Sequence, residues 1–169
     1  MGNDKTPLTF PQTLEYEGIF EPNHVYDGLK SFLEDGKGYD GSEKEVKEKN
    51  LNDERELICE FGADLHATDY IHYNIQLEIE MRGKNVIVED KNGVEHLYID
   101  GEAKMKIYSF LIINDNKHRH KNPLVEFFAK VYTKYFNTSE MAMLSKKAKK
   151  DVSETITRFK QLTNMSTQR

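Results

Sequence analysis

Residues 70 to 82, YIHYNIQLEIEMR, alternate without a slip. Ile71, Tyr73, Ile75, Leu77, Ile79 and Met81 point one way and His72, Asn74, Gln76, Glu78, Glu80 and Arg82 the other, because successive side chains of a strand take opposite faces. One dry face and one wet face belong to an antiparallel sheet covered on a single side, since strands buried on both sides read as unbroken apolar runs. The sequence therefore predicts one sheet and one covering layer.

Working downstream, Arg82-Gly83-Lys84-Asn85 reads as a turn and Val86 to Glu89 as a short strand. Asn92-Gly93 reads as a two-residue hairpin, because a type I′ turn needs positive φ at both central residues. Val94 to Ile99 pairs back, Asp100-Gly101 turns again, and Glu102 to Asn114 forms a long strand with Ala103, Met105, Ile107, Ser109, Leu111 and Ile113 on one parity. Upstream, Leu57, Cys59, Phe61 and Ala63 alternate with Glu56 and Glu60, so residues 54 to 114 read as a meander.

Before the meander, Leu14, Tyr16 and Phe20 share a parity in a first strand from Thr13 to Phe20. A helix opens at Pro22, carries Val25, Leu29, Phe32 and Leu33 at helical spacing, and ends at Gly36, where a left-handed cap is expected. Gly36, Gly38 and Gly41 mark a loop. Ser42 and Glu45 have capping-box spacing, but Val46 is the one apolar anchor of residues 42 to 49, which predicts at most a short, solvent-facing helix.

After residue 121 the pattern is helical. Asn122 caps, Pro123 takes the first position, and Leu124, Phe127, Phe128, Val131, Tyr132 and Tyr135 form a broad stripe. After an interruption at Asn137-Thr138-Ser139, the stripe resumes through Leu144, Ala148, Val152, Ile156, Phe159 and Leu162. Some forty residues of helix, bent or split once, suffice to cross such a sheet at about 1.5 Å per residue. The expected architecture is α+β: an antiparallel sheet of about six strands packed on a long C-terminal helix. Residues 1 to 12 and 164 to 169 read as flexible tails around one domain of residues 13 to 163.

Composition bounds the class. Charged residues make up 31% and hydrophobic residues 37% of 169, with nine Phe and nine Tyr, which describes a chain able to build a core of its own. A formal charge of -5 argues against bulk nucleic acid as the main partner. Cys59 is the sole cysteine, so no intramolecular disulfide or thiolate metal cage can form, and a reducing, cytoplasmic setting is expected. The first twenty residues lack the features of a signal peptide, and no stretch reads as a transmembrane segment. Gly2 and Thr6 match the short N-myristoylation pattern, which by itself is weakly specific.

The order of elements, strand, helix, antiparallel meander and long terminal helix, resembles the helix-grip arrangement of the START-like (SRPBCC) superfamily over residues 13 to 163. The resemblance implies a curved sheet wrapped on the C-terminal helix and an apolar cavity between them for lipids, sterols, polyketides or similar ligands. Its lining would come from the dry parities: Tyr73, Ile75, Leu77, Met105, Ile107, Phe127, Phe128 and Tyr132. The same stripes read without the resemblance are simply core.

Little else carries chemistry. His118-Arg119-His120-Lys121 is the densest cationic cluster and is the candidate anion site, beside the N-terminus of the long helix. His118 and His120 with Asp115 do not have a specific metal-ligand spacing, and no metal or cofactor is assigned. His66 and His72 flank Asp69 but fall on opposite sides of a turn. No serine or cysteine has a nucleophile context, the glycine cluster lacks a phosphate-loop lysine, and Glu78 and Glu80 lie on the wet face. Lys146, Lys147, Lys149 and Lys150 form a basic run whose plainest reading is a solvated face.

The sequence thus points to a non-enzymatic protein that holds an apolar or amphipathic ligand, or a protein partner, between sheet and C-terminal helix. The alternative is an assembly protein that self-associates through the stripe from Leu144 to Phe159, and a third reading is a cyclase-like enzyme in the same cavity. No catalytic residue is assigned.

Overall fold

A computed structural model describes residues 4–66, 71–113 and 138–164. Among these residues the chain is α+β. Strand β1 (Asp4–Phe20) leads into helix α1 (Pro22–Ser31), which continues through a π-helical turn at Phe32–Gly36. Strands β2 (Asp40–Leu51), β3 (Glu54–His66), β4 (Ile71–Glu89) and β5 (Glu95–Ile113) follow, and helix α2 (Thr138–Leu162) comes last. The five strands form one open sheet in the order β1-β5-β4-β3-β2, and every pair is antiparallel. α1 therefore carries the chain from one edge of the sheet to the other, and the meander returns it.

The alternation in β4 is met on its dry side: Tyr73, Ile75, Leu77, Ile79 and Met81 are all buried. They form one core with Leu57, Cys59, Phe61 and Ala63 of β3, with Ala103, Met105, Ile107 and Leu111 of β5, and with Val25, Leu29 and Leu33 from the first helical segment. α2 contributes Ala148, Val152, Phe159 and Leu162 to the same core. The wet side is less simple than expected, because His72, Asn74 and Gln76 are also buried.

Five described strands stand where six were expected: two expected turns are straight strand, which merges four strands into two, and residues 42 to 49 add one as part of β2. β4 and β5 run in unbroken register from Ile71↔Ile113 to Glu89↔Glu95, straight through Arg82–Asn85 and Asp100-Gly101. Gly83 faces Gly101 across the ladder, and Gly101 faces Gly18 of β1 on its other side. A Cβ on Gly101 would strike the Arg82 carbonyl and come within 2.6 Å of the Gly83 Cα. These glycines serve a close backbone approach, the other reason for glycine inside a strand. The hairpin at Asn92-Gly93 is present but wider than two residues: Gly93 takes positive φ, at 78°, while Asn92 does not, and the Asp90 carboxylate accepts from the amides of Asn92 and Val94.

Three further expectations give way. The strand begins at Asp4, so residues 4 to 12 are strand laid against β5, with register shifts between Pro7 and Thr9 and between Thr9 and Gln12. Prolines signal loops, but an outermost strand with bulges accommodates them, since a missing N–H costs nothing on an unpaired side. Residues 42 to 49 are strand, not helix: without an apolar stripe to bury, they take their hydrogen bonds from β3. The left-handed cap falls at Gly38, φ 75°, not at Gly36, because the π turn adds residues before the helix closes. There the amides of Gly38 and Tyr39 donate to the carbonyls of Glu34 and Leu33.

The described C-terminal helix is 25 residues long. The first part of the expected forty-residue helix, residues 122 to 137, lies outside the described residues. No described helix is long and apolar enough to cross a membrane.

Candidate functional site

The cap at Gly38 has a chemical consequence: it turns Tyr39 into the interior, beside α2. Tyr39 Oη donates to Asp151 Oδ2 at 2.7 Å. Lys147, one turn earlier on α2, donates to the same oxygen at 3.2 Å. Lys37 Nζ lies 3.6 Å from Asp151 Oδ1 and also bonds Glu154. A carboxylate that is 1% exposed thus gathers one phenol and two ammonium groups where the sheet meets α2. Asp151 is the buried ion of the group, and the lysines that offset its charge keep contact with water, Lys147 most of all.

Tyr73 reaches the same place from β4. Its ring meets that of Tyr39 edge-on, with centroids 5.7 Å apart. Its hydroxyl is buried beside the Tyr39 hydroxyl and the Lys147 ammonium, both of which bear on its proton affinity, yet it makes no well-formed hydrogen bond among the described residues.

Proton affinities in the cluster follow from these contacts. Burial, followed by the bond to Asp151, pushes the Tyr39 phenol well above the usual range. Tyr73 is also raised, chiefly by burial. For Lys147 burial works to lower the ammonium, but the bond to Asp151 and its charge outweigh that and leave it raised. Lys37 is raised, first by its bond to Glu154, and Glu154 is lowered by the same bond. Each of these shifts carries its group away from neutrality, unlike an acid or base poised for proton transfer.

The sequence-derived lining residues divide. Tyr73, Ile75, Leu77, Met105 and Ile107 stand together in the core. Phe127, Phe128 and Tyr132 lie outside the described residues, as do His118, Arg119, His120 and Lys121. Two open grooves, of about 820 Å³ and 340 Å³, occur elsewhere on the surface, and neither is lined by a residue of α2. The larger sits over the glycine row beside Glu17, Arg82 and Glu102; the smaller lies between Lys5, Lys44, Gln76, Tyr108 and Phe110.

Other candidates resolve into structure. The Cys59 thiol is buried and pushed up to about 11, mainly by burial, so it is no nucleophile near neutral pH. Glu78 accepts from Lys106 at 3.2 Å and from Tyr108 at 3.3 Å. His66 and His72 pair in register with rings 5.1 Å apart, and His72 lies 3.9 Å from Asp64. Among the described residues no three of His, Cys, Asp and Glu are placed to hold a metal ion. The four lysines of the basic run are all exposed; Lys147 turns to Asp151, and Lys150 lies 3.8 Å from Glu154. Ala148, Val152 and Phe159 are buried against the chain's own sheet, which takes up the stripe considered for self-association.

Sequence reasoning passed over Lys37, Tyr39 and Asp151. Asp151 had left a signal: with Ala148 and Thr155 it falls at helical spacing inside the apolar stripe, where an unpaired carboxylate would not be tolerated.

No family model matches the chain, and no curated protein matches it. Among solved structures, a Staphylococcus aureus protein of unknown function aligns over 99% of this chain and 98% of its own, at 12% identity and a TM-score of 0.23.

Proposed function

We propose that this chain is a non-enzymatic binding protein that holds an apolar or amphipathic molecule where the sheet meets its C-terminal helical region, as in the START-like superfamily its element order resembles. The observation that carries this reading is the Tyr73 hydroxyl, buried beside the polar cluster of Asp151 and making no well-formed hydrogen bond among the described residues, although Tyr39 and Lys147 stand near it. A buried hydroxyl without a hydrogen bond is costly, and a ligand oxygen would relieve that cost. The ligand's apolar body would lie along Ile75, Leu77, Met105 and Ile107, with Phe127, Phe128 and Tyr132 completing the lining.

Further support comes from the strand order, which brings β1 back beside β5 while α1 and α2 share the core side of the sheet. Binding is favoured over catalysis because the shifted phenols and ammonium groups of the cluster move away from neutral pH. The cationic turn at 118–121 is proposed as an anion contact and the cytoplasm as the location, both on sequence grounds.

Native mass spectrometry of the protein purified from its own host tests this. The expected result is a retained small molecule that is lost in Tyr73→Phe without loss of thermal stability. A wild-type chain that carries no small molecule would overturn the reading.

A further inference from the structure

β2 ends the sheet: it pairs with β3 on one side, and no described strand lies on its other. Almost all of it is exposed. Along this free edge runs Glu43-Lys44-Glu45-Val46-Lys47-Glu48-Lys49. Read outward in both directions from Val46, each charge is matched by its opposite: Glu45 against Lys47, Lys44 against Glu48, Glu43 against Lys49. A sequence inverted in sign about its midpoint is what two antiparallel copies of one strand need if they are to lie side by side, because directly opposed residues on neighbouring strands attract or repel at close range.

We propose that the free edge of β2 pairs with β2 of a second copy of this chain, antiparallel about a two-fold axis at Val46, joining two sheets into one. In that register Glu45 of each copy stands opposite Lys47 of the other, and the two valines meet on the axis. Val46 is 52% exposed in the single chain, so its copy would cover it. Moving the axis by one residue either way sets Glu45 against itself or Lys47 against itself. Moving it by two sets Lys44 or Glu48 on the axis against its own copy.

The strand's one irregularity lies outside the centre of this register. The bulge falls between Glu43 and Glu45 and turns Lys44 toward Gln76, so the outer charges leave the matched register, while the axis and the two flanking Glu45–Lys47 pairs sit in regular strand. Within one chain Glu45 and Lys47 already bridge at 2.5 Å along the same face. Two copies would turn that pair into a ring of four alternating charges. Charged edges ordinarily deter strand addition; this one deters strands of other sequence and matches its own reversal. The contact is isologous, as closed two-fold dimers require. It is also short, so the dimer is concentration-dependent.

Sedimentation equilibrium of the full chain over a concentration series tests the pairing. The expected species at high concentration has twice the 19.7 kDa chain mass and dissociates on dilution and in high salt. Glu45→Lys opposes lysine to Lys47, and Lys47→Glu opposes glutamate to Glu45, so each variant alone is monomeric with an unchanged circular dichroism spectrum. An equimolar mixture of the two variants recovers the dimer, and so does the chain carrying both changes. A wild-type chain that stays monomeric throughout, single variants that dimerise like wild type, or a mixture that stays monomeric would each overturn the proposal.

Discussion

At the scale of single residues, Asp151 decides how the polar interior is held. Its carboxylate is shared by Tyr39, Lys147 and Lys37. Asp151→Ala leaves the buried Tyr39 hydroxyl without its acceptor and takes an ion partner from Lys147, which reaches water, and from Lys37, which keeps Glu154, so it should lower stability by about 2–3 kcal/mol in urea titration. Tyr39→Phe removes one donor while both lysines stay with the carboxylate, so it should cost only about 1–2 kcal/mol. The comparison is diagnostic: equal losses would mean that the lysines contribute nothing. Cys59 supplies a second residue-level prediction. Buried, with its thiol pushed up to about 11, it should resist thiol-specific reagents at pH 7.5 in the native protein and react promptly once denaturant is added.

At the scale of elements, the glycines show where sequence is ambiguous. Gly83 and Gly101 carry the same letters as turn glycines, and only the ladder that sets them opposite each other reveals why a side chain is barred. Gly101→Ala should therefore cost about 2–3 kcal/mol by thermal melting, since backbone must move. Gly36 and Gly38 make the converse pair. Gly36 has ordinary φ, and a methyl group there would meet only the Phe32 ring, at 3.7 Å, so Gly36→Ala should be neutral or slightly stabilising. Gly38→Ala, at φ 75°, should cost about 1 kcal/mol.

The strict alternation of β4 was legible because it spans many residues and both parities agree. β2 was not legible, because a charged edge strand has no periodicity to display and owes its conformation to β3. For the candidate site, Tyr73 could be read from its parity. Its neighbours could not: Tyr39 enters by a cap displaced from Gly36 to Gly38, and Asp151 meets it across 112 positions.

At the scale of the whole molecule, the shifted groups set a stability profile in pH. Tyr26, Tyr39 and Tyr73 are all raised, first by burial, and Cys59 likewise. Groups raised on folding by loss of hydration stay neutral in the folded chain while their unfolded counterparts ionise, so they oppose folding as pH climbs past the unfolded values. The melting temperature should therefore fall from about pH 9 upward, where unfolded thiols and phenols begin to ionise. Phenolate absorbance of these three tyrosines should develop only together with unfolding. On the acid side, Glu43, Glu154 and Asp90 are lowered by their hydrogen bonds, so their contribution holds above about pH 4 and is lost as pH falls below it. These carboxylates lie near water, which makes the acid limb shallower than the alkaline one.

The buried bond between Thr9 and Ser109 joins positions one hundred residues apart. A ribosome releases β1 first, yet its described neighbour in the sheet is the last of these strands to be made. Throughout synthesis of the meander the newborn leading segment waits unpaired, its backbone groups satisfied by water or by a chaperone. Closure of that long loop is the slow, late event of folding. A nascent chain halted before residue 99 would carry an orphan first strand, and its quality control would begin there.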